Sequence, residues 1–355
     1  MKADCFISKD NIDVVEALSR IDKCGYGILY IINEEGQLIG AVSDGDIRRW
    51  IIQTNDLEAE VSSYMNKSPK YIFEHETDRA KEIAEAFPIS SLPVLNNNRE
   101  IVEVIVFKNN TDLTSKVKCN KDLDVPCVIM AGGKGTRLYP YTKILPKPLI
   151  PIGDTPILER ILNRFVEFGV NKFYLTVNYK KKMIRSYFEE VNPDYDIIYV
   201  EEDKPLGTGG SIKLIRQKFD KPIIIANCDA IINADYKDLY NFHIKSGNAI
   251  TIVSSLKNIT IPYGVLKTRE NGELIKMEEK PKLSYFINTG MYIINPETIK
   301  FIPNDKMYHM TNLVDDVKNS GGKVGMYPVS EDSFLDMGEF DEMRRMEEKL
   351  NIVSK

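Results

Sequence analysis

"VPCVIMAGGKGTRLYPYTKILPKPL", residues 125–149, carries an apolar run straight into a loop holding three glycines and four lysines or arginines. "TPILERILNRF" (155–165) follows, with its apolar residues at helical spacing. A short apolar strand, a glycine-rich turn and an amphipathic helix open a βα unit. Apolar runs at 125–130, 173–177, 197–200, 222–228 and 249–254 alternate with helix-like segments at 156–168, 180–190, 209–219 and 235–246. That alternation predicts an α/β fold with a mostly parallel sheet and helices on both of its faces. Ligands of such sheets bind beyond the carboxyl ends of the strands. The loop at 131–137 lies at the end of the first strand, so position alone nominates it as a site.

The chemistry of the loop points to an anion. Gly132, Gly133 and Gly135 let backbone N–H groups approach a ligand closely. Arg137 offers a planar fork to phosphate oxygens, and Lys147 adds a compact point charge. The stretch is neither a Walker A loop nor a GxGxxG fingerprint, and a structural turn would account for GGKG alone. The chain as a whole has a net charge of −5, which argues against a general nucleic-acid binder. A basic cluster in a mildly acidic chain suggests one specific anionic ligand. The five cysteines, at 5, 24, 119, 127 and 228, show no zinc-site spacing and read as reduced thiols. No signal-peptide pattern and no membrane-length apolar run occur, so a cytoplasmic protein with no membrane partner is expected.

Upstream, the polar stretch 108–124 reads as a linker. Two similar units precede it, at about 1–60 and 61–118, each with an amphipathic helix, an apolar strand, a polar turn and a second strand. This internal repeat, with "GAVSDGDIRR" (40–49), resembles the CBS-domain pair, a module that commonly binds adenine nucleotides. The resemblance implies an α+β CBS pair over 1–118, a linker at 119–124 and a catalytic domain over 125–355. It places a ribose-phosphate contact on Ser43 and Asp46, and so a regulatory nucleotide. In the second unit Val106 and Asn109 stand where the Ser/Thr and Asp are expected, so one of two sites is lost there. A pair that only dimerises is the competing reading.

Beyond the linker, GGxGTRLxP…LPKPL is followed in order by "EEDKPLGTGGSI" (201–212), "IIIANCDAIIN" (223–233), "PYGVLK" (262–267), "MEEKP" (277–281), "INTGMYIINPE" (287–297) and "FLDMGEF" (334–340). This series resembles the sugar-1-phosphate nucleotidylyltransferases. The resemblance covers 125 to about 350 and implies a Rossmann-like, GT-A-like nucleotidyltransferase fold. It also implies an enzyme joining a nucleoside triphosphate to a sugar 1-phosphate with Mg²⁺. Carried onto this chain, it makes Arg137 and Lys147 catalytic. It puts the nucleotide on Ala131, Gly132, Gly133, Gly135, Thr136, Glu202, Gly207, Thr208 and Asn227. The sugar phosphate falls to Gly264, Glu279, Lys280, Asn288 and Thr289, and the metal to Asp229 and Asp336. The set makes physical sense. A sugar 1-phosphate is largely dianionic near neutral pH, its second pKa being about 6, and needs no general base to attack the α-phosphorus. The protein must screen two anions from each other and stabilise charge on departing pyrophosphate.

The base and the sugar are read from less. Guanine presents N1–H and a 2-amino group together, a donor pair that a carboxylate matches. The turn "EEDKPLGTGG" supplies carboxylates and no glutamine, which favours GTP, with Glu202 as the contact and Glu201 next to it; a solvent-facing acidic turn competes. The CBS pair followed by this transferase resembles the guanylyltransferases of bacterial nonulosonic-acid pathways. That implies glucosamine 1-phosphate as substrate and GDP-glucosamine, on the route to legionaminic acid, as product. Mannose 1-phosphate is the near alternative, uridylyl or cytidylyl transfer a further one, and a non-catalytic nucleotide sensor the reading from another class. A homo-oligomer is expected.

Overall fold

The computed structural model describes residues 3–87, 89–107, 123–338 and 340–349. Asn109, Cys119 and most of the expected linker lie outside them. The chain divides into two compact units, Met1–Cys119 and Asn120–Lys355.

In the larger unit, β1 (Cys127–Met130), β2 (Lys172–Val177), β3 (Asp196–Glu201), β4 (Ile223–Asn227), β5 (Ile250–Thr260), β6 (Lys282–Ile294) and β7 (Val324–Val329) form one sheet. Its order is β3-β2-β1-β4-β6-β5-β7. All neighbours are parallel except at β6, which runs antiparallel to both β4 and β5. The inner strands are apolar without alternation because both of their faces are covered. Cys127 and Ile129 pack into one core with helices α1 (Ile157–Val166), α2 (Lys181–Val191) and α3 (Tyr236–Ser246). Val128 and Met130 pack into another with α4 (Met310–Asn319). A last helix, α5, spans Phe340–Lys349.

From β1 the chain builds outward through β2 and β3, then returns to lay β4 on the other side of β1. The strand order reverses there, with Met130 opposite Asn227, and a crevice opens at the carboxyl ends of β1 and β4. One expected helix is corrected. The stretch 209–219 is only a single turn, Gly207–Gly210, and a 3-10 turn, Ser211–Leu214. Three glycines in GTGG are poor helix formers, and the amides of Gly209 and Gly210 are drawn off by the Tyr308 carbonyl at 2.9 and 3.0 Å.

The smaller unit repeats one topology. Strands Ile7–Lys9, Ile28–Ile32 and Leu38–Ser43 form a sheet whose first pair is parallel and second antiparallel. Strands Ile72–Phe73, Ser91–Leu95 and Ile101–Val106 do the same. Tyr30, Leu38, Ala41 and Leu95 share a core, and the hydroxyls of Tyr30 and Ser91 meet at 2.9 Å. No helix among the described residues is long and apolar enough to cross a membrane.

Candidate active site

Asp229 lies just past β4 and opens a short ribbon in which Ala230–Ile232 pairs antiparallel with Phe334–Asp336. Ala230 is the register partner of Asp336, and the Met337 amide donates to the Asp229 carbonyl at 2.8 Å. Two aspartates more than a hundred residues apart are thereby clamped side by side at the mouth of the crevice. Burial raises the Asp336 carboxyl above its usual range, and the nearby Asp229 charge adds to the effect. Lys147 and Arg137 oppose the shift. Lys147 is buried, and its Nζ donates to Asp229 Oδ2 at 2.5 Å. Burial pushes the Cys228 thiol up to about 12, which makes it a packing residue rather than a nucleophile.

The glycine loop holds this cluster. Gly135 has φ +64°, and a Cβ there would come within 2.8 Å of Lys147 Cβ; only glycine lets the lysine stem lie so close. The Thr142 hydroxyl ties down the Gly135 carbonyl at 3.0 Å. Ala131 is buried, its amide bonded to the Thr176 carbonyl at 2.9 Å. Thr136 opens the short turn that carries Arg137. Gly132 faces Glu202, whose Oε1 would stand 2.8 Å from a Cβ at that position. Glu202 is buried, and that burial raises its carboxyl; the Leu206 amide, donating to Oε2 at 3.1 Å, works the other way. Glu201, the last residue of β3, takes the opposite side. Lys181 and Arg185 hold it at 2.7 and 2.6 Å and keep its carboxyl below the usual range, so it is a surface ion-pair partner rather than a second base contact.

A cavity of about 360 Å³ opens at the crevice, a size suited to a small ligand. Arg137, Thr208, Asn227, Asp229, Asn288, Thr289 and Asp336, all expected from sequence, line it. Gly290, with φ +80°, leaves room for Asn227, since a Cβ would lie 2.1 Å from the Asn227 amide nitrogen. Asn288 accepts the Gly290 amide at 3.0 Å, and the Thr289 hydroxyl donates to the Val253 carbonyl at 2.8 Å. Gly264, Glu279 and Lys280 are not among the lining residues. They sit on the exposed hairpin Gly264–Thr268/Leu274–Glu279, where Gly264 pairs with Glu279 and Lys280 has φ +46°. Gly207 is not among the lining residues either, and a Cβ there would stand 2.7 Å from the Tyr308 carbonyl oxygen. The cavity adds Met130, Tyr292, His309, Met310, Thr311 and Phe334. Tyr292 belongs to the INTGMYIINPE motif and was reachable from it, whereas nothing near 309–311 marks those residues in the sequence.

In the smaller unit, Ser43 and Asp46 are occupied with each other. Asp46 Oδ2 accepts the Ser43 amide at 2.9 Å and its hydroxyl at 2.6 Å, and the Asp46 amide returns to Ser43 Oγ at 3.2 Å. Arg49 binds the other Asp46 oxygen. This is a capping box on the helix Asp44–Thr54. Val106 ends a strand.

The pattern of the nucleotidyl transferase family matches residues 127–351, the span that builds the crevice. The chain belongs to the nucleotidyl transferase family. A CBS domain matches residues 1–53. Among related proteins, the mannose-1-phosphate guanyltransferase of Debaryomyces hansenii is 36% identical over 184 residues, covering 49% of this chain and 51% of that protein. The UTP–glucose-1-phosphate uridylyltransferase of Synechocystis is 32% identical over 202 residues, covering 52% of each. The chain thus spans about half the length of these curated relatives. HddC from Yersinia pseudotuberculosis is similar in structure, with a TM-score of 0.52 and 26% identity over 64% of this chain and 99% of that one. The same protein complexed with GMP-PN gives a TM-score of 0.50.

The transferase cleft suits a hard divalent cation. Two carboxylates, one of them raised by burial and by its neighbour, give a pair of hard oxygen donors, and Mg²⁺ is held by one or two carboxylates together with substrate phosphates. No group of three or more His, Cys, Asp or Glu stands ready to cage a metal among the described residues. Asp229 and Asp336 would hold the ion, which would supply positive charge to offset that of bound phosphates. Arg137 can bind and orient phosphate oxygens from the side of the loop.

Proposed function

We propose that the chain transfers a guanylyl group from GTP to a sugar 1-phosphate, glucosamine 1-phosphate by preference, releasing pyrophosphate and GDP-glucosamine. The observation that carries the reading is the cluster of Arg137, Lys147, Asp229 and Asp336 at the β1/β4 crevice. It offers Arg137 for phosphate oxygens and carboxylates for Mg²⁺ without a general base or a nucleophile, as transfer between phosphates requires. The loop amides of 132–136 and Arg137 position the triphosphate. Lys147 fixes Asp229, and the phosphate dianion of the sugar attacks in line. Guanine is favoured by Glu202, a buried carboxylate beside Gly132, and is in keeping with similarity to guanyltransferases and to a protein crystallised with GMP-PN. The reading places the product on a route to legionaminic acid, in a cytoplasmic homo-oligomer. The smaller unit acts as a CBS pair, and a nucleotide there must open the Ser43–Asp46 cap.

Pyrophosphate release from GTP, UTP, CTP and dTTP, each paired with glucosamine 1-phosphate or mannose 1-phosphate, tests this. GTP with glucosamine 1-phosphate is expected to turn over fastest. Turnover with UTP or CTP alone would overturn the guanylyl assignment, faster turnover with mannose 1-phosphate would overturn the sugar, and no turnover with any pair would overturn the enzyme.

A further inference from the structure

The reaction brings two anions into one cavity, and the cations on its walls are few. Lys147 Nζ is taken by Asp229 at 2.5 Å. Arg137 stands beside Asp336, its Nη1 3.5 Å from where a Cβ on Gly338 would lie, and it belongs to the loop that faces the triphosphate. Lys280, expected to bind the sugar phosphate, sits on the exposed hairpin and off the cavity wall. Arg137 is thus the one lysine or arginine among the described lining residues, and the second phosphate needs a donor beyond it.

The cavity supplies one from elsewhere. His309, exposed and immediately before α4, lines the same space as Asn288, Thr289 and Asp229. Its backbone is stapled in place. The Tyr308 amide donates to the Leu206 carbonyl at 2.8 Å, the Tyr308 carbonyl accepts from Gly209 and Gly210, and the Met310 amide reaches Thr208 Oγ1 at 3.1 Å. The His309 amide bonds Asn312 Oδ1 at 2.9 Å. The glycines of GTGG make this seat possible, since a Cβ on Gly207 would stand 2.7 Å from the Tyr308 carbonyl and 3.1 Å from His309 Nδ1. Part of the demand for glycine in that turn thus comes from His309 and its neighbours.

We propose that His309 is a substrate-contacting residue that binds the phosphate of the sugar 1-phosphate through its imidazole N–H. The inference rests on the transferase reading above. An imidazole donates an N–H to phosphate oxygen in either protonation state. Arg137, Asp229 and Asp336 share the cavity wall with it.

Steady-state kinetics of wild type, His309→Ala and His309→Gln decide the matter, run with the nucleotide and sugar pair that the wild type turns over best. His309→Ala is expected to raise the KM for the sugar 1-phosphate about tenfold or more, the scale of one lost hydrogen bond to a charged group, and to leave the KM for the nucleotide within about twofold. The Ki of inorganic phosphate, competing with the sugar phosphate, should rise in the same proportion, and His309→Gln, which keeps an N–H donor, should recover part of both. An unchanged KM for the sugar phosphate, or a rise in the nucleotide KM in its place, overturns the proposal while leaving the transferase reading intact. A wild type that turns over no pair overturns both.

Discussion

Ser43 with Asp46 in the smaller unit, and Asp229 with Asp336 in the larger, are both carboxylate sites at the end of a strand, but they are built in opposite ways. The first lies three residues apart in sequence, and its groups satisfy each other within one turn of helix. The second joins residues more than a hundred positions apart through a two-stranded ribbon, and leaves two acids facing each other with Arg137 and Lys147 alongside. A locally satisfied pair stabilises a helix start, whereas a pair forced together by tertiary structure keeps charge to spend on a ligand. The same kinds of side chain cap a helix in one place and line a cavity in the other.

Substitutions can break that contrast. The largest effect is expected for Asp229→Asn, which should lower Mg²⁺-dependent turnover by about a hundredfold to a thousandfold, the scale of removing one preorganised electrostatic group, with an unchanged circular dichroism spectrum. Near wild-type activity would remove the metal role. Lys147→Met should cost activity too, and stability as well, because it strands Asp229 in a mostly buried site; about 3 kcal/mol is expected from denaturant titration, as when one partner of a buried pair is lost. Ser43→Ala should cost only about 1 kcal/mol, through the helix cap, and leave turnover of the larger unit as it was. A loss of turnover there would show that the cap is more than structural.

His243 sharpens the contrast with a pH dependence. It is buried, hydrogen-bonded to Thr251 at 2.8 Å and Asn295 at 2.9 Å, and burial holds its pKa below the usual histidine value. The neutral ring is the one that fits, so its contribution to stability is full above the unfolded-state value of about 6.5. That contribution falls away as the pH drops below that point, where the unfolded chain binds the proton first. Urea midpoints between pH 7.5 and 5.5 should fall for wild type more than for His243→Gln; equal slopes would show that His243 does not titrate on unfolding.

Much of this was legible in the sequence. The apolar runs of the inner strands, the loop at 131–137 and both aspartates are short-range features, and the structure brings Arg137, Asp229 and Asp336 onto one cavity. Other features depend on contacts that no local pattern encodes. The GTGG stretch kept an apolar spacing downstream that reads as helix, but its amides are drawn to Tyr308. Glu201 and Glu202 look alike in sequence, and only the alternation of a strand end sends one to surface lysine and arginine and the other inward. Lys280 follows a motif faithfully, yet the bend at φ +46° leaves it on an exposed hairpin. His309 has no sequence signal, because its place depends on α4 docking against a turn a hundred residues earlier.

On the proposed function, the crevice cluster directs attack at the α-phosphorus of the nucleotide. GTP labelled at the α-phosphorus, incubated with glucosamine 1-phosphate and Mg²⁺, tests this most directly. All of the transferred label is expected in the sugar nucleotide, with unlabelled pyrophosphate released in equal amount. Label recovered as GDP or GMP, with no labelled sugar nucleotide, would contradict it.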